Sequence, residues 1–129
     1  MKQENVSRKI IGLSMKIHRE LGNGFNECVY KKSLAFELSQ NGIAFEMEKR
    51  VLVFYYNNVV GEYFLDFLVE KSVVVELKAV GKLCVPHFTQ TKHYLKATKL
   101  DWALLINFGS ELMQQYRVYP NEFKTFIPG

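Results

Sequence analysis

The chain reads as an α/β domain, bordering on α+β, in which a mixed central sheet is flanked by α-helices. Three observations predict it. Helical apolar spacing opens the chain, strand-type runs fill its middle, and one wholly apolar strand follows a third helix.

Residues 6–21 form the first predicted helix. Val6, Ile10, Leu13, Ile17 and Leu21 recur at helical spacing, with Lys9, Lys16, Arg19 and Glu20 filling much of the rest. Gly22-Asn23-Gly24 ends it, since both residue types tolerate positive φ. Asn26 is the expected N-cap of a second helix over 27–41, with Val29, Leu34 and Leu38 on its apolar face and Gly42 as its stop. Residues 44–48 alternate and 51–56 are strong strand formers. Asn57-Asn58 signals a turn, after which 59–69 returns antiparallel. Glu70-Lys71-Ser72 is a second turn, leading into the β-branched run 73–80. Pro86 opens a third helix to about residue 97. Residues 102–107, WALLIN, read as a strand buried on both faces. Residues 113–119 are expected to be an edge strand. The tail 120–129, with Phe123, Phe126 and Ile127, is expected to dock on the body.

The 129 residues suit one domain, with a core over about 6–119. Hydrophobic residues at 48% and charged residues at 23% are ordinary for a globular protein, and the aromatic content speaks against disorder. A net charge of +4 leans weakly towards an anionic partner. No apolar run approaches the roughly 18 residues of a membrane helix, and residues 1–5 do not resemble a signal peptide. Cys28 and Cys84 lack metal-type spacing and read as reduced, part-buried thiols of a cytoplasmic protein. His18 reads as a surface or packing residue.

The chemistry concentrates in residues 63–80, YFLDFLVEKSVVVELKAV. Val73, Val75 and Leu77 share one strand face, Glu76 and Lys78 the other. A turn centred on Lys71 sets Asp66 directly opposite Glu76, with Cβ atoms about 4.5–5.5 Å apart. Two facing carboxylates in an apolar hairpin repel, and a cation between them removes the penalty; oxygen ligands suit Mg²⁺ or Mn²⁺. Lys78 lies on the same face, within reach of a substrate oxygen beside the metal. The pattern is D-x₉-E-x-K, and it depends on register, because a one-residue slip separates the acids.

This hairpin, followed by a helix and an apolar strand, resembles the core of the PD-(D/E)XK nuclease superfamily. Leu65 stands where many members carry proline before the aspartate. Residues 24–30, GFNECVY, fit G-x-x-E-x-x-Y after an H-R-E-L-G segment at 18–22, and VVELKAV and LLINFG fit as well. The sequence therefore resembles the GxxExxY proteins of that superfamily over about residues 6–119. The resemblance implies that Glu27 joins Asp66 and Glu76 in the metal shell. It also implies that Gln90 and Tyr94 form a Q-x-x-x-Y pair, Gln90 meeting Lys78 or a phosphate and Tyr94 a phosphate or base. The Leu77 carbonyl is a further expected ligand. Tyr30 reads equally as core packing or substrate contact.

The expected activity is Mg²⁺- or Mn²⁺-dependent phosphodiester cleavage, with DNA as the expected nucleic acid and Lys82, Lys92, Lys96 and Lys99 as candidate backbone contacts. The competing expectation is a catalytically silent nucleic-acid-binding or regulatory module. A glycosidase pair of Glu27 and Glu76 would leave Asp66 and Lys78 without a role. The edge strand offers a route to a homodimer. Asp66→Ala and Glu76→Ala are expected to abolish metal binding with the fold intact, since carboxylate repulsion is relieved.

Overall fold

A computed structural model describes residues 2–120 and 127–128. Among these, three helices, α1 (Lys2–Leu21), α2 (Glu27–Gln40) and α3 (Val85–Thr98), accompany six strands: β1 (Phe45–Tyr55), β2 (Asn58–Val69), β3 (Val73–Lys78), β4 (Ala103–Asn107), β5 (Gln114–Val118) and β6 (Ile127–Pro128). The strands lie in chain order in one sheet. All neighbours are antiparallel except β3 and β4, which are parallel and joined through α3. The expected mixed sheet is therefore present.

Two apolar clusters fill the two faces. Ile10, Ile17, Tyr30, Leu34 and Leu38 of α1 and α2 pack with Phe67, Val73, Val75, Leu77, Leu104 and Ile106. Phe88, Tyr94 and Leu95 of α3 pack with Leu65, Val74, Ala103 and Leu105. β4 serves both clusters, and every residue of it is buried, as its unbroken apolar run requires. Asn26 caps α2 by accepting from the Val29 N–H, and Gly42 closes it at φ 65°.

Several boundaries differ from the sequence expectation. α1 begins at Lys2 and not at residue 6, because its polar first turn is tied to the sheet. Gln3 donates to the Ser72 carbonyl, and Glu4 receives both arms of Arg117 at 2.7 and 3.0 Å. The first hairpin turns on Tyr56 and Asn57, both at positive φ, and not on Asn57-Asn58; Asn58 pairs with Tyr55. Residues 113–119 are not a free edge, since Ile127 and Pro128 pair with Arg117 and Tyr116. Phe123 and Phe126 of the expected docked tail lie outside the described residues. Cys28 and Cys84 are exposed, not part-buried, because each sits near a helix N-terminus turned from the core. His18 contacts the Ser110 carbonyl at 3.0 Å and tilts against Phe108, a packing role.

The closing LLINFG segment has a mechanical role. Buried Asn107 accepts from the amides of Val80 and Gly109 and donates to the Val80 carbonyl and Gln114. It clamps the chain leaving β3 to the end of β4. Gly109 lies so close that a Cβ there would stand 2.3 Å from the Val80 nitrogen. Gly109→Ala is expected to lower stability by about 3 kcal/mol, because backbone must give way; urea unfolding measures it. Unchanged stability would show that the clamp is slack.

Candidate active site

The β2–β3 hairpin carries the predicted acids. Glu70 and Lys71 take positive φ, 52° and 55°, and Ser72 N–H closes the turn on the Val69 carbonyl. Val69 pairs with Val73, Leu68 with Val74 and Phe67 with Val75. The same register continued sets Asp66 level with Glu76, as the sequence predicted. The ladder, however, stops at Phe67–Val75. Beyond it the carboxylates replace backbone partners. Asp66 N–H donates to Glu76 Oε1 at 3.0 Å, and Leu77 N–H donates to Asp66 Oδ2 at 2.8 Å. Each acid crosses to the other strand's main chain. N–H and C=O of one strand residue point to the same side, so the Leu77 carbonyl also faces this gap.

Both acids are buried, Asp66 at 7% exposure and Glu76 at 2%. Burial, then the Asp66 charge, pushes the Glu76 carboxyl well above the ordinary carboxylate range.

A residue outside the sequence motif completes the charge balance. Lys31 of α2 places Nζ 2.7 Å from Asp66 Oδ1, 2.8 Å from Glu48 Oε1 and 3.9 Å from Glu27 Oε2. Burial works against this ammonium, but hydrogen bonds from Asp66 and Glu48 outweigh it and raise its pKa. Glu27 lies one helical turn before Lys31 and shares it. Its own carboxyl is raised, first by burial and then by Asp66. Glu48 is at the level of Asp66, between the pairs Met47–Phe67 and Lys49–Leu65. Its φ of 53° is left-handed, which is rare within a strand. Around it both strands change sides. Met47 packs in the α1–α2 cluster and Val51 in the α3 cluster; Phe67 and Leu65 divide in the same way.

At the open end of β3, Lys78 Nζ donates to Gln90 Oε1 at 3.0 Å. Of the two partners expected for Gln90, Lys78 or a phosphate, it meets Lys78. Gln90 is exposed, whereas Tyr94, a turn later, is 8% exposed and packs edge-on to Tyr63 at 5.4 Å. Burial, then the Glu76 charge, pushes the Tyr94 hydroxyl up to about 12. The ring is largely covered, and its hydroxyl feels the charges of Glu76, Asp66 and Lys31. Tyr30 is fully buried; its hydroxyl donates to the Gly22 carbonyl at 2.5 Å, and its ring stacks on Phe108 at 4.6 Å. It fastens the α1–α2 loop.

The geometry thus joins Asp66 to Glu76 directly, Glu27 to Asp66 through Lys31, and Lys78 to Gln90. Among the described residues no three acid, histidine or cysteine side chains converge closely enough to hold an ion together. The donor set is nevertheless all oxygen, its charge is excess negative, and an ammonium already sits within it. That chemistry fits a hard divalent cation. Lys31 was missed because helix periodicity assigns it to an ordinary polar face; the signal was its i+4 spacing from Glu27. Glu48 carried no signal, since its strand segment alternates normally.

The expectation that Asp66→Ala leaves the fold undisturbed is corrected. Its carboxylate is the acceptor of a buried amide and of Lys31, so truncation costs stability. Glu76 behaves otherwise. Its folded pKa is raised, so its cost is absent below the ordinary carboxylate value and grows as pH climbs towards the folded one. The metal-free protein is expected to lose this share of stability as pH rises above the ordinary carboxylate range. Glu76→Gln keeps an acceptor for the Asp66 amide and is expected to stabilise the metal-free protein by about 1–3 kcal/mol at neutral pH. Denaturation in EDTA across pH checks both; equal pH slopes in the two proteins would refute the assignment.

A family model for the PD-(D/E)XK nuclease superfamily matches residues 4–118. Among solved structures, the crystal structure of SSO0001 is similar with a TM-score of 0.59 and 18% identity, over 72% of this chain and 50% of that one. The chain spans half the length of that protein, and the likeness is one of fold. No curated protein matches.

Proposed function

Because the chain belongs to the PD-(D/E)XK nuclease superfamily, we propose that it is a divalent-metal-dependent phosphodiesterase acting on DNA through an acid–acid–lysine site. Within the superfamily, residues 24–30 support placement with the GxxExxY proteins. The observation that carries the reading is the crossed pair Asp66–Glu76, buried at the parting of β2 and β3 with Lys78 at the same open end.

Asp66 and Glu76 would hold Mg²⁺ or Mn²⁺, with Glu27 and the Leu77 carbonyl as further oxygen donors. When bound, such an ion lowers the pKa of a water and withdraws charge from the scissile phosphate. Lys78 orients the attacking water and offsets negative charge on the phosphate as the new P–O bond forms and the old one breaks. Gln90 holds the Lys78 ammonium in place. Tyr94 acts from beneath, as packing for α3 against Tyr63. A groove lined by Tyr63, Val85, Pro86, Thr89, Gln90 and His93 begins at Gln90 and supports approach of an extended strand there. Exposed Lys82, Lys96 and Lys99 suit its phosphates. No described helix is long and apolar enough to cross a membrane.

Calorimetric Mn²⁺ titration alongside labelled single- and double-stranded DNA tests the reading. Wild type is expected to bind the ion and cleave DNA only with metal present; Asp66→Asn is expected to lose both. Lys78→Ala is expected to keep metal binding and lose cleavage about 10²–10³-fold. Cleavage in EDTA, or full cleavage by Lys78→Ala, would sink the proposal. DNA binding without metal binding or cleavage would instead identify a silent binding module.

A further inference from the structure

The acidic centre contains more negative charge than its motif lysine can balance. Glu27, Glu48 and Asp66 each lie within 3.9 Å of Lys31 and Glu76 is bonded to the Asp66 amide, while Lys78 is turned to Gln90. Among the described residues, Lys31 is the cation in ion-pair contact with Glu27, Glu48 and Asp66. Its ammonium lies on Asp66 Oδ1, while the other Asp66 oxygen accepts from the Leu77 amide. A divalent ion drawn to Oδ1, the Asp66 oxygen not bonded to the Leu77 amide, would meet this ammonium. An ion and an ammonium repel at such range, so a divalent ion on Asp66 Oδ1 would weaken the hold of Lys31 there.

Glu48 supplies the alternative. Its carboxylate already holds Lys31 at 2.8 Å, and the left-handed backbone at this position lies level with Asp66. Strained backbone of this kind persists where the surroundings demand it and clusters at functional sites.

We infer that Lys31 is a built-in counter-cation that occupies the acidic centre in the metal-free protein, and that Glu48 is the positioning residue that retains it when metal displaces it from Asp66. The inference rests on the metal-centre reading of Asp66 and Glu76. Lys31 pairs with buried Asp66 without metal, and metal affinity is set by the exchange. The two residues should therefore affect affinity in opposite directions, and the Glu48 effect should vanish without Lys31, which two independent charges beside the site would not produce.

Mn²⁺ calorimetry at one pH on wild type, Lys31→Met, Glu48→Gln and the double variant decides it, with thermal melts in EDTA and in Mn²⁺ as a second readout. Lys31→Met is expected to melt lower in EDTA yet bind Mn²⁺ about tenfold more tightly. Glu48→Gln is expected to bind about fivefold more weakly, because Lys31 then rests on Asp66 alone. In the Lys31→Met background, Glu48→Gln should change affinity no further. Lys31→Arg, which keeps the charge and the fold, is expected to bind more weakly than wild type, since a guanidinium grips carboxylate through two bonds. Mn²⁺ bound equally by wild type and Lys31→Met would overturn this inference alone. So would an equal weakening by Glu48→Gln in both backgrounds, which would make Glu48 a direct ligand. Absence of binding in wild type and Lys31→Met alike would overturn the metal centre and this inference with it.

Discussion

The structure turns on one substitution of partners. Where β2 and β3 would continue pairing main chain to main chain, the Asp66 amide goes to Glu76 and the Leu77 amide to Asp66. Buried amides need acceptors, and buried carboxylates need donors. Each need meets the other, so two acids survive inside a sheet whose strands are otherwise apolar. The same exchange parts the strands and leaves an opening at the end of β3. Lys78, the Leu77 carbonyl and the α2 residues Glu27 and Lys31 are grouped around that opening.

The remainder of the fold holds this opening still. α1 and α2 press on one face of the sheet and α3 on the other. Tyr30 ties the α1–α2 loop to Gly22 and stacks on Phe108, which aims the first turn of α2, and with it Glu27, at the hairpin. Asn107 and Gly109 clamp the chain just past Lys78. Residues that look functional by motif are thus divided. Glu27 reaches the charged centre, whereas Tyr30 secures the loop that carries it.

Much of this was legible in the chain. The Glu70-Lys71-Ser72 break centred the hairpin, and period-two alternation then placed Asp66 against Glu76. The helix-cap signals at Asn26 and Gly42 located α2 to within a residue at its end. The unbroken run 102–107 marked β4 as a strand covered on both faces. Less legible were polar residues whose partners are remote. Gln3 and Glu4 extend α1 because Ser72 and Arg117 wait for them far along the chain. The edge position of β5 was misjudged because β6 is only two residues long and carries no period.

The acidic centre divides along the same line. By itself the sequence determined the register of the acid pair, the Lys78 position and the two-faced burial of β4, because each follows from turn spacing and side-chain alternation over a few residues. Only the tertiary structure decided that the ladder stops one pair short, that Lys31 balances Asp66, and that β1 changes its packing side at Glu48. Local periodicity cannot report these features. They arise where a helix is laid across a sheet, and where buried charge must find a partner that is distant in sequence and near in space.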